Sequence, residues 1–171
     1  MCSSDLGIGS VAGAVGVALG AIGWADGALR GVPLVVELLA LAAVTGGSFG
    51  AVILAHWYLV TPKISETPLI LTTKLVAIAL GVQLLLFLAW TATGIPGGPP
   101  FGALTGPNLI LVWLRLIVGL VFPLVLAVMA HKTALTRSME SATGLLYIEL
   151  TLVLASTIVA AGLALGTGLL V

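Results

Sequence analysis

The sequence predicts an all-α fold, a polytopic transmembrane helical bundle of five helices in which helices two to five form a four-helix core. Three observations predict it. Hydrophobic residues make up 60% of the 171 residues and charged residues only 7%, with a mean hydropathy of +1.29, whereas soluble domains carry about 25% charged residues. Five apolar stretches each come close to, or exceed, the roughly 20 residues that cross a hydrocarbon core. Short connections holding glycine, proline or charge separate them. Residues 1–171 therefore read as a single transmembrane domain.

The same composition narrows function. A net charge of zero gives no broad basic face and argues against a nucleic-acid partner. The single cysteine, Cys2, excludes an intrachain disulfide and reads as an incidental terminal thiol. No nucleotide loop, catalytic triad or paired-carboxylate site is present, so the chain has no self-contained catalytic motif.

The first helix is expected over about 6–24. It lacks the basic leader of a signal peptide, and its pairs Gly9/Gly13 and Gly16/Gly20 suit close helix approach in lipid. The opening, MCSSDLG, resembles the spurious starts of translated assembled reads, which leaves room for a further helix upstream. The second helix, about 33–60, starts at Pro33, where a first turn needs no amide partner. It carries Glu37 one turn inside the membrane, a glycine pair at Gly46 and Gly50, and His56 followed by Trp57 and Tyr58, which favour the headgroup layer.

The third helix, about 68–91, holds Lys74, Gln83 and Trp90. Glycines and prolines in the stretch 93–107 exclude regular structure. The fourth helix, about 107–134, contains Arg115 and His131, and its interior Pro123 should kink it and free a carbonyl near Gly119. The fifth, about 142–170, carries Tyr147 and Glu149 early and the pair Gly162/Gly166 late.

Lys63, Lys74, Lys132 and Arg137 gather at one end, against Arg30 and Arg115 at the other. The positive-inside rule then makes the first end cytoplasmic, with the N-terminus inside and the C-terminus outside. Trp24, Trp90 and Trp113 are expected to form the outer aromatic belt.

His56 lies 23 residues beyond Pro33 and His131 lies 24 beyond Pro107. At 1.5 Å per residue both are about 35 Å along parallel helices. Two imidazoles at one depth are what axial ligation of haem b requires. In outline this resembles the bis-histidine membrane b-type cytochromes, and the resemblance implies a haem b electron-transfer subunit with quinone or other redox subunits as partners. Lys74 and Glu149, at matched depth, are expected to pair and to tune charge beside the haem, and Glu149, with Tyr147 nearby, is expected to serve as a proton or quinone-head contact. Glu37 and Arg115 are expected to form a structural ion pair between helices two and four. Gln83 suits an interhelical hydrogen bond.

The strings HWYLVTP (His56 to Pro62) and ATGLLY (Ala142 to Tyr147) resemble a pattern of uncharacterised bacterial integral-membrane proteins. That resemblance implies a shared fold and supplies no activity, and the expected location is a bacterial inner membrane. Two other readings stay open: a small transporter or permease subunit using Glu149, Lys74 and Glu37, and a membrane anchor or assembly protein without chemistry.

Overall fold

The computed structural model describes residues 3–25, 28–61, 65–95 and 97–170. Cys2, Pro62, Lys63 and the side chain of Arg30 lie outside the described residues. The described chain forms α1 (Ser3–Trp24), α2 (Ala28–Val60), α3 (Thr67–Thr93), a one-turn α4 (Gly102–Thr105), α5 (Leu109–Leu116), a π turn (Ile117–Val121), α6 (Phe122–Leu135) and α7 (Met139–Thr167). Among the described residues there is no strand. The five spans Gly7–Trp24, Gly31–Val60, Thr67–Thr93, Leu109–Leu135 and Met139–Thr167 are each long and apolar enough to cross a membrane. The protein is an integral membrane helical bundle.

Four spans close into a square. α2 packs on α3 and α7, and α6 packs on the same two helices, so α2 and α6 stand on the diagonal. Along α3 the buried positions are Leu69, Thr73, Val76, Leu80, Gln83, Phe87 and Thr91, spaced in steps of three and four. α7 repeats the rhythm through Leu146, Glu149, Val153, Ser156, Ala160 and Leu163. This spacing is that of left-handed bundles, in which ridges of one helix sit between those of the next. Small residues fill the inner faces: Ala51, Ala55, Ala127, Ala130, Ala134 and Ala142 are all buried. Large apolar side chains such as Ile53, Leu71, Ile78, Leu85, Ile148 and Ile158 face outward, which suits contact with lipid tails.

Several sequence expectations need correction. α2 begins at Ala28, a turn before Pro33, which lies inside the helix. The stretch expected to lack regular structure contains the single turn α4; before it, the Phe101 N–H donates to the Thr91 carbonyl at 2.7 Å and folds this stretch back on α3. α1 packs against α2, but its glycines are not used for close approach. A Cβ built at Gly9, Gly13, Gly16 or Gly20 would meet nothing within 4 Å, and the same holds for Gly46, Gly50, Gly162 and Gly166. Four-residue spacing sets two glycines on one face without deciding that the face is the buried one. Close approach occurs instead at Gly47, where a Cβ would stand 3.2 Å from Val76 of α3, and at Gly119.

The aromatic residues also differ. Trp57 is exposed, but Tyr58 turns inward, 5% exposed, and its hydroxyl donates to the Ser65 carbonyl. Trp90 is no belt residue, since its indole nitrogen is buried. The Trp113 Nε1–H donates to the Leu104 carbonyl at 3.3 Å. At the end carrying Lys132, the Arg137 Nε lies 2.9 Å from Glu66 Oε1 and joins two of the connecting loops.

Candidate functional site: the polar seam between α2 and α7

In a bundle facing lipid, each buried polar group must find its partner inside the protein. Among the described residues, four side-chain contacts link α2 to α7 along one seam, two of them made by the buried Thr143 and Glu149 and two by half-buried or exposed residues. At the end near residue 61, the Tyr147 hydroxyl is 3.4 Å from His56 Nδ1. Next, Thr143 Oγ1 donates to the Ala55 carbonyl at 3.3 Å. Deeper, Ser48 Oγ donates to Glu149 Oε1 at 2.7 Å. Beyond that, the hydroxyls of Thr45 and Thr157 stand 3.4 Å apart. By contrast, the α3–α6 seam has one side-chain contact of this kind, Thr73 Oγ1 to His131 Nδ1 at 3.1 Å, among the described residues.

Glu149 is 0% exposed. It sits ten residues into α7, about 15 Å along a helix of about 43 Å. Its Oε2 has no hydrogen-bond partner, and among the described residues no basic side chain forms an ion pair with it. Lys74 is exposed and does not join it. The reason is angular: Thr73 takes the buried position, and the next residue is turned about 100° round the helix.

A second polar layer lies nearer the start of α2. Arg115 Nη2 is 3.5 Å from Glu37 Oε1, with both side chains almost fully buried. Arg115 Nη1 also donates to Ser156 Oγ, and Ser156 Oγ donates to the Gly119 carbonyl at 3.0 Å. That carbonyl is available because Pro123, four residues on, has no N–H to give it. The helix answers with the π turn Ile117–Val121, a form common where an α-helical ladder is broken. A Cβ at Gly119 would collide with the Ser156 side chain, so this contact requires glycine. Gln83 and Trp90 of α3 approach the Glu37 carboxylate, yet Gln83 Nε2, Trp90 Nε1 and Glu37 Oε2 close no hydrogen bond.

The two histidines are not brought together. His56 is exposed at the α2–α7 edge beside Tyr147, while His131 is half-buried at the α3–α6 edge beside Thr73. These are opposite edges of the square. Between them the interior is filled by Ala55, Ala130, Ala134 and Ala142. Such an arrangement does not fit one haem iron shared by both imidazoles. As with Lys74, each histidine follows a buried position, Ala55 or Ala130, by one residue and about 100°.

Sequence reasoning missed Ser48, Thr45, Thr157 and Ser156. Their signal was present: in membrane helices, small and hydroxylated residues mark the packed face, and Ser48 shares that face with Ala51 and Ala55. Comparison with protein-family models, with curated proteins and with solved structures gives no match to this chain.

Proposed function

We propose that this membrane protein is a proton-coupled transport or permease subunit in which Glu149 is the proton-exchanging group. The observation that carries the reading is the run of polar contacts along the α2–α7 seam, with a buried carboxyl in its middle that, among the described residues, has one hydroxyl partner and no cation. A charged side chain at the centre of a membrane helix costs about 2.5–3.5 kcal/mol and usually marks an ion or proton pathway. An arginine would lock such a carboxylate in one state. A serine hydroxyl brings no charge, so it leaves the carboxyl able to take and release a proton.

The seam supplies the rest of the route. Thr143 and the His56–Tyr147 pair lie toward one end, and Thr45 and Thr157 toward the other. Glu149 and Thr157 are eight residues apart, about 12 Å along α7. Glu37 completes the series as a carboxylate whose charge Arg115 balances. Lys74 has no part in this route.

Proteoliposomes with an entrapped pH dye and an imposed potassium diffusion potential test the reading. Wild type is expected to take up protons and Glu149→Gln to lose that uptake while still folding. Equal uptake in the two, or none in wild type, overturns it. Haem b, with quinone as electron partner, gains no support from histidines at opposite edges. An alpha band in the dithionite-reduced, purified protein that vanishes in His56→Ala would reinstate it.

A further inference from the structure

On the side of the square away from the α2–α7 seam, α3 and α6 are held in register by Thr73 Oγ1 and His131 Nδ1, 3.1 Å apart. The next residue on each helix is a lysine, Lys74 on α3 and Lys132 on α6, and both are exposed. Going round α3, Val76 meets Gly47 of α2 and Thr73 meets His131 of α6. Lys74 continues in the same sense by about 100°, which turns it outward on the α6 side. Lys132 leaves His131 by the same angle, away from the buried stripe Ala127, Ala130 and Ala134. Both lysines therefore stand on one outer face. Since Thr73 and His131 are level, their backbones differ in depth by only about 3 Å. Among the described residues neither lysine forms an ion pair, and Glu66, just before α3, is already held by Arg137 at 2.9 Å.

Lys74 also lies well inside a span that is apolar enough to cross a membrane, seven residues past Thr67 and about 10 Å along the helix. A lysine facing lipid there extends its stem toward the headgroup layer, where the phosphates are. We infer that this face holds an anionic phospholipid, its phosphate bridged by the Lys74 and Lys132 ammonium groups. Charge selects the head. Two cations with no carboxylate between them favour a lipid of net negative charge, whereas a choline head would bring a third cation beside them. The surface deeper in the bilayer receives the chains. Seven residues beyond Lys74, a Cβ at Gly81 would meet nothing within 4 Å. With the half-buried Ala77 it leaves a shallow groove beside Val128 of α6, which is itself partly exposed. Inorganic phosphate presents the same oxygens to the lysines but has nothing to lay in that groove. The site is independent of Glu149 and of proton exchange there.

Native mass spectrometry of the full chain in non-ionic detergent, titrated with phosphatidylglycerol or with phosphatidylcholine of the same chains, supplies the test. The first phosphatidylglycerol is expected to bind about thirtyfold more tightly than phosphatidylcholine, the combined effect of two lysines near the surface. Lys74→Gln with Lys132→Gln should erase that preference with unchanged helical circular dichroism, and either change alone should reduce it about fivefold. Replacing both lysines by arginine keeps the charge and should keep the preference. Arg137→Gln, at the same end of the bundle but off this face, should leave it intact. Millimolar inorganic phosphate should not displace the lipid. Equal binding of the two lipids by wild type, or a preference that survives in the double glutamine variant, overturns the proposal. So does a loss in Arg137→Gln as large as in the double variant, which would mark diffuse surface charge, or displacement by phosphate, which would mark a site for the free ion.

Discussion

Among the described residues the bundle buries two carboxylates, Glu37 and Glu149, to nearly the same degree but gives them opposite surroundings. Glu37 meets an arginine, and through it a serine, a glycine carbonyl and a π turn. It therefore ties three core spans together. Glu149 meets one serine hydroxyl and, among the described residues, no cation, while each of the two carboxylates keeps one oxygen without a hydrogen-bond partner. Burial alone does not distinguish these two carboxylates; their partner sets do. A buried ion pair fixes how helices meet, at a desolvation cost that its partners offset, while a carboxyl with a single neutral partner remains free to change its protonation.

The comparison breaks most visibly at Glu37 and Arg115. Removing either one alone should cost about 3–5 kcal/mol, because an unpaired charge is left inside the bundle. The double change Glu37→Leu with Arg115→Met should recover most of that loss. Reversible unfolding in mixed micelles measures all three, and single-variant losses below about 1 kcal/mol would remove the contrast with Glu149. Next in size is Gly119→Ala, whose methyl group meets Ser156 and should destabilise the protein by about 1–3 kcal/mol. Adding Ser156→Gly relieves the collision but gives up the Arg115 contact, so rescue should be partial.

Glu149→Gln is expected to stay within about 1 kcal/mol of wild type, since interhelical hydrogen bonds in membranes average about 0.6 kcal/mol. A loss as large as that at Glu37 would make Glu149 structural too. The smallest effect belongs to Tyr147→Phe, which removes an exposed contact and should shift stability by no more than about 0.5 kcal/mol.

The five spans were legible because a stretch of apolar residues needs only length to declare itself. So was the meeting of Glu37 with Arg115, since few charges lie deep enough to partner each other. The carbonyl near Gly119 followed from Pro123 alone. Facing was harder to read. Lys74, His56 and His131 each stand one residue past the buried stripe. Depth follows from counting residues, whereas facing depends on which neighbour takes the interior, and in lipid the outer face is apolar as well. The stripe had to be read from small and hydroxylated residues such as Ser48, Ala51, Ala55 and Ser156 rather than from hydrophobicity. The glycine pairs misled for the same reason.

The most direct test of a proton-exchanging Glu149 is an infrared difference spectrum of the reconstituted protein recorded across a pH titration. A carboxyl carbonyl band that grows and fades with pH in wild type, and is missing in Glu149→Gln but present in Tyr147→Phe, is the predicted result. A spectrum with no titrating carboxyl band, or one that Glu149→Gln leaves intact, would contradict it.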